Sequence, residues 1–271
     1  MSTENNNFSN GLWLVGLGPG NIDLITIGAA KAIENCNHVF IEGYTANLQN
    51  EDLLVMQERY GEWKTLMRKE IEEPDKLLAI ASEESVALLI IGDVLQATTH
   101  IDLILRCQKL KIPVNLIPGI SITTLIGEIG LQAYRFGRQT TIPYIYKSYL
   151  PTSPLEVILM NKKNNLHTLV LFDLDPTGMG EEKPQPMTPS IAIDTLNSMS
   201  KKLNSSGDDM DEDVMSWKGI LCSNLGTKNS QIMYSSLERL SMVDLKGMHC
   251  MIFPSKLHEI ELLALSRWEV K

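Results

Sequence analysis

Leu12-Trp13-Leu14-Val15-Gly16-Leu17-Gly18-Pro19-Gly20 is the stretch whose reading decides the fold. Four consecutive apolar residues suit a strand buried on both faces. The glycines after them permit a tight turn and a close approach of ligand to main chain that a side chain would forbid, and Pro19 sets one φ of the turn. Open α/β sheets bind their ligands in such loops at the carboxyl ends of strands, although a plain turn has the same composition. The Gly-Lys-Ser/Thr ending that grips phosphate in a P-loop is missing. Asn21 stands where the dinucleotide fingerprint wants a third small residue. Glu42, ending the next apolar run, nevertheless keeps a ribose-binding acid and a nicotinamide cofactor as an alternative.

Outward from that stretch, short apolar runs alternate with helical periodicity. Strands are expected at Val39 to Glu42, Val86 to Ile91 and Val114 to Ile117. Helices are expected over Ile25 to Cys36, over Pro74 to Ala81, and through Leu110 from a cap at Thr98 or Thr99. Continuous apolar strands separated by helices predict a mostly parallel sheet covered on both sides. Gly92-Asp93 and Ala97-Thr98-Thr99-His100 supply a second loop at a strand end. Asp93 there is either a solvated turn residue or an acceptor for an amine, a ribose or a cation, and the threonines cap a helix, line a cleft, or do both. His100 is read as a structural or surface histidine, with proton acceptance as the alternative.

After Pro118-Gly119, Ser121 caps a helix over roughly Ile122 to Ile129, and the pattern becomes less regular. Strands are expected at Leu169 to Phe172, Gly219 to Ser223 and Met248 to Phe253, with a helix from Pro189 to Met199. A last helix through Trp268 should turn Leu257, Ile260, Ala264 and Leu265 inward. Gly178 to Pro189 and the polar, acidic Lys201 to Asp213 read as surface insertions. The organisation expected is therefore a polar extension over 1–11, an α/β domain over 12–117, and a mixed α/β domain over 118–271 that completes the cleft.

The 271 residues are 44% apolar and 21% charged, as in ordinary globular enzymes, with a net charge of −9 from 33 acidic and 24 basic residues. That balance does not recruit nucleic acid by bulk charge. Cys36, Cys107, Cys222 and Cys250 are too scattered for a zinc cluster or a disulfide framework and read as buried thiols. The opening residues lack a basic, apolar export signal, and no apolar run reaches the ~20 residues of a membrane span. A cytoplasmic protein is expected, with neither membrane nor direct nucleic-acid contact.

Gly16 to Gly20, Gly92-Asp93 with Ala97 to His100, Ser121-Ile122, Tyr134-Arg135-Phe136-Gly137, Leu166-His167-Thr168-Leu169 through Asp173, and Met248-His249 together resemble the diphthine synthase family. Glu42-Gly43-Tyr44-Thr45 and Pro254 to His258 extend the resemblance, which runs from Leu12 to about Glu261. The Gly-rich loop is common to the wider tetrapyrrole-methylase-like fold, whereas the Gly92 to His100, Tyr-Arg-Phe-Gly and Leu-His-Thr-Leu segments point to diphthine synthases. The resemblance implies a two-domain methyltransferase with S-adenosylmethionine as donor and no metal, acting as a homodimer. Its substrate would be elongation factor 2, whose histidine-borne aminocarboxypropyl amine is methylated in successive steps in diphthamide biosynthesis. Methylation of a tetrapyrrole or other small molecule on the same fold is the alternative. The resemblance also implies cofactor contacts from Pro19, Asp93, Gln96, Ser121, Ile122, Phe172, the Ser223 to Leu225 segment and His249. Val94, Leu95 and Gln96 depart from the Gly-Asp-Pro reading and the glycine common in relatives. Arg135 and Arg138 are candidates for the substrate carboxylate or, alternatively, a solvent-facing pair. No residue is assigned as the catalytic base.

Overall fold

The structure is a computed structural model describing residues 8–46, 48, 50–146, 149–178, 183–205 and 213–270. Two compact units emerge, one running to Leu125 and the other made of nearly all the chain from Ile126 onward.

The first unit contains β1 (Gly11–Gly16), α1 (Ile27–Asn35), β2 (His38–Glu42), α2 (Asn50–Tyr60), β3 (Lys64–Leu66), α3 (Arg68–Glu72), α4 (Asp75–Glu83), β4 (Ser85–Ile90), α5 (Ile101–Leu110), β5 (Val114–Ile117) and α6 (Ile122–Leu125). Its five strands are all parallel in the order β3-β2-β4-β1-β5. Alternation along β1 and β4 explains their unbroken apolar character. Leu12, Leu14, Val86, Leu88 and Ile90 pack with Leu103 and Cys107 of α5. Val15, Ala87 and Leu89 pack with Ala29, Ala32 and Ile33 of α1 in a separate cluster. Each fully buried Leu of this kind stabilises the fold by about 1.5–3 kcal/mol.

From β1 the chain moves toward β2, while from β4 it moves the other way toward β5. Right-handed crossovers leaving in opposite directions lie on opposite faces, which opens a crevice at the carboxyl ends of β1 and β4.

The second unit holds β6 (Thr140–Ile142), α7 (Ser153–Lys163), β7 (Thr168–Phe172), α8 (Pro189–Ser205), β8 (Lys218–Ser223), β9 (Gln231–Ser236), α9 (Leu237–Leu240), β10 (His249–Phe253) and α10 (Glu259–Leu265). The sheet order is β6-β7-β10-β8-β9, with β6 and β7 parallel and the remaining pairs antiparallel. Its core joins Leu155 and Ile158 of α7, Ile193, Leu196 and Met199 of α8, and Val170, Leu221 and Met251 from the sheet. The α/β class with a parallel first sheet and a mixed second one is as expected from the sequence.

Several local expectations are corrected. Neither Thr98 nor Thr99 caps α5: its cap is His100, and the Thr98 hydroxyl instead donates to the Val94 carbonyl at 3.0 Å. The segment after Ser121 is one α-turn followed by a 3-10 turn, Ile126–Ile129, rather than one helix. The polar stretch at Lys201 starts as helix, because α8 continues to Ser205 and buries Leu203 in the core. Residues 206–212 of that stretch, like 179–182 of the other expected insertion, lie outside the described residues. Asp213 caps a 3-10 turn through the Met215 N–H. In the last helix Ile260 is 62% exposed while Glu261 is fully buried. The short α10 turns a carboxylate inward because four donors await it, as described below. Cys107, Cys222 and Cys250 are buried free thiols, but Cys36 is only half-buried.

No helix among the described residues is long and apolar enough to cross a membrane.

Candidate functional site

In the first unit three loops at the carboxyl ends of β1, β4 and β5 touch main chain to main chain. Gly18 and Gly92 exchange two backbone hydrogen bonds, at 3.0 and 2.7 Å. A Cβ at Gly119 would overlap the Gly92 carbonyl oxygen and crowd the Gly16 backbone. The loops therefore meet only because side chains are absent there. Gly92 has open space around its Cα, and it is the φ of +85° that calls for glycine.

Asp93 ties this assembly together. One carboxylate oxygen accepts the Leu95 N–H at 3.0 Å and the other accepts the Gly119 N–H at 3.1 Å, so the second and third loops share one anchor. An ionised carboxylate has about four lone-pair sites, which leaves acceptor capacity beyond these two bonds. Pro19 is half-buried, Ser121 is buried with its hydroxyl oxygen accepting the Thr123 N–H at 3.2 Å, and Ile122 is half-buried beside it. Gln96 is exposed, and its neighbour Ala97 carries the strained backbone, with φ +57°. That conformation costs a non-glycine residue about 1–2 kcal/mol.

Glu42 and His100 form a buried pair behind the second loop, with 3.4 Å between Glu42 Oε2 and His100 Nε2. His100 Nδ1 lies 3.2 Å from the Val94 carbonyl, which also accepts from Thr98. Glu42 further accepts the backbone N–H groups of Tyr44 and Thr45, at 2.9 and 2.6 Å, and the Thr45 hydroxyl. The reading of Glu42 as a ribose-binding acid is thereby overturned, since the carboxylate is 2% exposed and already engaged. His100 is a fully buried loop anchor, not a surface residue. Its pairing with Glu42 leaves no local periodicity in sequence, because the partners come from different strand ends.

In the second unit, register gathers four more candidates. Antiparallel pairing sets His249, at the start of β10, opposite Ser223, at the end of β8. His249 Nδ1 is 2.8 Å from the Ser223 hydroxyl, and Nε2 is 3.2 Å from the Leu245 carbonyl. A carbonyl only accepts, so Nε2 carries the proton and Nδ1 accepts from Ser223. Burial pushes the His249 pKa below its ordinary value, outweighing the Leu245 bond. This neutral ring has no lone pair left for a substrate proton. Phe172, at the end of β7, lies with its ring centroid 6.5 Å from the imidazole. Leu225 is buried, and Asn224 between it and Ser223 holds the following turn through the Met248 N–H and Lys246 carbonyl.

Arg135 is half-buried, and its guanidinium is engaged within the second unit. Its guanidinium bonds Glu261 at 2.5 Å and the Lys256 carbonyl at 2.6 Å. Glu261 also accepts from His167 Nε2 and the backbone N–H groups of Gln132 and His258. Burial by itself would raise the Glu261 carboxyl, but these donors outweigh it and hold the pKa at about 2. The Ser255 N–H donates to His167 Nδ1, which fixes that ring as the neutral Nε2–H form, and burial lowers its pKa. Arg138 is exposed, and its main chain bonds the Asn161 side chain, over which Gly137 passes too closely for any Cβ. The Tyr-Arg-Phe-Gly and Leu-His-Thr-Leu segments are thus one structural knot.

The candidate residues fit S-adenosylmethionine on chemical grounds. The cradle in the first unit is main chain made accessible by glycine, with one carboxylate and no Lys or Arg in 16–21, 92–100 or 118–125. Such a lining suits an adenosyl group and a sulfonium cation, and does not suit a polyanion.

The sequence profile of the tetrapyrrole (corrin/porphyrin) methylases matches residues 11–240. A diphthine synthase of Methanocella arvoryzae is 36% identical over 262 residues, covering 94% of this chain and 96% of that one. A diphthine methyl ester synthase of Bos taurus is 31% identical over 278 residues, covering 96% and 95%. A crystal structure from Entamoeba histolytica assigned as a diphthine synthase superposes with a TM-score of 0.83 at 34% identity, covering 97% of this chain and all of that one.

Proposed function

We propose, from the premise that this chain belongs to the tetrapyrrole (corrin/porphyrin) methylase family and is an S-adenosylmethionine-dependent methyltransferase of the diphthine synthase type, that it methylates elongation factor 2 in diphthamide biosynthesis. The acceptor in this reading is the amino nitrogen of an aminocarboxypropyl group already carried by a histidine of that factor, methylated in successive steps. The observation that carries the reading is the glycine-built cradle at the carboxyl ends of β1 and β4, with Asp93 as its anchor and no basic residue in its loops. The same cradle would serve the cofactor whichever acceptor is methylated, and the choice of acceptor is supported by the diphthine synthase relatives.

S-adenosylmethionine supplies a methyl group already made electrophilic by the sulfonium. The residues of this chain are left to bind, orient and exclude water. In the first unit Pro19, Asp93, Gln96, Ser121 and Ile122 are proposed as cofactor contacts, with Asp93 doubling as the loop anchor. In the second, Phe172, Ser223, Leu225 and His249 are proposed, His249 through its ring face and Ser223 pairing. Each N-methylation starts from a neutral amine, because an ammonium has no lone pair. His249 has both ring nitrogens engaged and His100 is fully buried behind the second loop, so the reading assigns no protein base and leaves that proton to water. The same reading expects a homodimer in the cytoplasm.

The test is mass spectrometry of elongation factor 2 carrying the unmethylated adduct, after incubation with this protein and S-adenosylmethionine. A mass gain in whole methyl increments is expected and counts the transfers. No gain, in a protein that binds the cofactor by calorimetry, would refute the substrate assignment and leave the tetrapyrrole-type alternative to be assayed.

A further inference from the structure

The loop after β4 is tied to its neighbours from several sides. Gly92 pairs with Gly18 of the first loop, and Asp93 reaches Gly119 of the third. A further tie comes from behind, through His100. The imidazole is fully buried at the start of α5, and its Nδ1 lies 3.2 Å from the Val94 carbonyl. A carbonyl only accepts, so Nδ1 carries the proton. The Thr98 hydroxyl donates to the same oxygen at 3.0 Å, which closes Val94 to Thr98 into a tight turn. Leu95, Gln96 and Ala97 form the exposed side of that turn.

Two observations set His100 apart from ordinary core packing. Its Nε2 is buried and makes no hydrogen bond. The Glu42 carboxylate stands 3.4 Å away, already bonded to Tyr44 and Thr45 of the loop after β2. A buried polar atom without a hydrogen-bond partner carries a cost that an apolar side chain would avoid. What the imidazole adds over such a side chain is the Nδ1 bond to Val94. The second observation is the φ of +57° at Ala97, three residues earlier. A left-handed residue other than glycine persists only where its surroundings over-determine it. The two bonds into the Val94 carbonyl close the chain across Ala97 and so hold it.

We propose that His100 is a positioning residue for the cofactor site: its Nδ1–H, with Glu42 behind the ring, holds the 94–98 turn and its left-handed Ala97 in the shape that presents Asp93 and Gln96 to S-adenosylmethionine. This deepens the function proposed above and rests on its reading of the second loop as a cofactor contact. His100 itself touches neither cofactor nor methyl acceptor. Through Glu42, the loop after β2 is tied to the same turn.

Calorimetry with S-adenosylhomocysteine on two isosteric variants tests this. His100→Asn sets an amide N–H where Nδ1 stands and keeps a donor for Val94. His100→Gln sets its amide nearer the place of Nε2 and withdraws that donor. The Asn variant should bind within about threefold of the parent, and the Gln variant about tenfold or more weaker. A role in packing alone would affect the two alike. Ala97→Gly, added to His100→Gln, removes the need to hold a strained residue and should recover about fivefold in affinity. Should His100→Gln fail to fold by circular dichroism, Thr98→Val withdraws the other donor from Val94 and must weaken binding about threefold by itself. Equal affinities in the Asn and Gln variants, or no recovery from Ala97→Gly, would overturn the proposal. Asp93→Ala, measured alongside, separates the two levels. Affinity lost there but kept in His100→Gln refutes the positioning role alone, and affinity kept in both refutes the cofactor reading of the loop together with it.

Discussion

Replacing Glu261 by Gln should destabilise the second unit by an amount that depends on pH. The carboxylate is fully buried and accepts from Arg135, His167 and the N–H groups of Gln132 and His258. Its pKa falls from an ordinary 4.5 to about 2. At about 1.4 kcal/mol per unit, that depression corresponds to about 3 kcal/mol of stability at neutral pH. A depressed carboxyl contributes its full share above the unfolded-state pKa and loses it as pH falls through the folded one, so the contribution fades between about pH 5 and pH 2. Gln removes the charge and turns an NH₂ toward two donors. The expected gap between parent and variant is about 3 kcal/mol at pH 7, shrinking toward pH 2. His167, whose pKa is lowered by burial, adds acid lability of the same sign in the parent, beginning as pH falls through the ordinary histidine range. Urea unfolding monitored at Trp217 and Trp268, in a background with Trp13 and Trp63 changed to Phe, isolates the second unit. A gap below about 1 kcal/mol at pH 7, or one that stays constant down to pH 3, would refute this account of the knot.

Three further outcomes bear on the first unit. Asp93→Ala removes the acceptor shared by Leu95 and Gly119 and should weaken S-adenosylmethionine binding more than tenfold by calorimetry; unchanged affinity would remove Asp93 from the cofactor site. Gly119→Ala places a methyl against the Gly92 carbonyl and should abolish cofactor binding, with thermal melting distinguishing loop disruption from global unfolding. Ala97→Gly relieves a left-handed backbone and should stabilise the protein by about 1 kcal/mol in urea melts, with cofactor affinity maintained.

Much of the fold was legible along the chain because its cause is local. Unbroken apolar runs at β1 and β4 mark strands buried on both sides, and helical spacing in α1 and α5 marks the faces that cover them. The short edge strands β3, β6 and β9 left no comparable signature, since three to six residues with one covered face carry little periodicity. The glycine loop and Asp93 were visible as candidates because turns announce themselves by composition. What Asp93 touches was not, since its partner Gly119 lies 26 positions away.

The residues whose identity depends on distant partners were decided by tertiary structure alone. His100 reads as a structural or surface histidine until Glu42 arrives beside it from another strand end, and Arg135 reads as a candidate for the substrate carboxylate or a solvent-facing residue until Glu261 turns inward to meet it. Backbone preference and apolar pattern act over a few residues and can be read in order. A buried charge needs compensation from whatever the fold brings near, so its role is set only once those partners are in place.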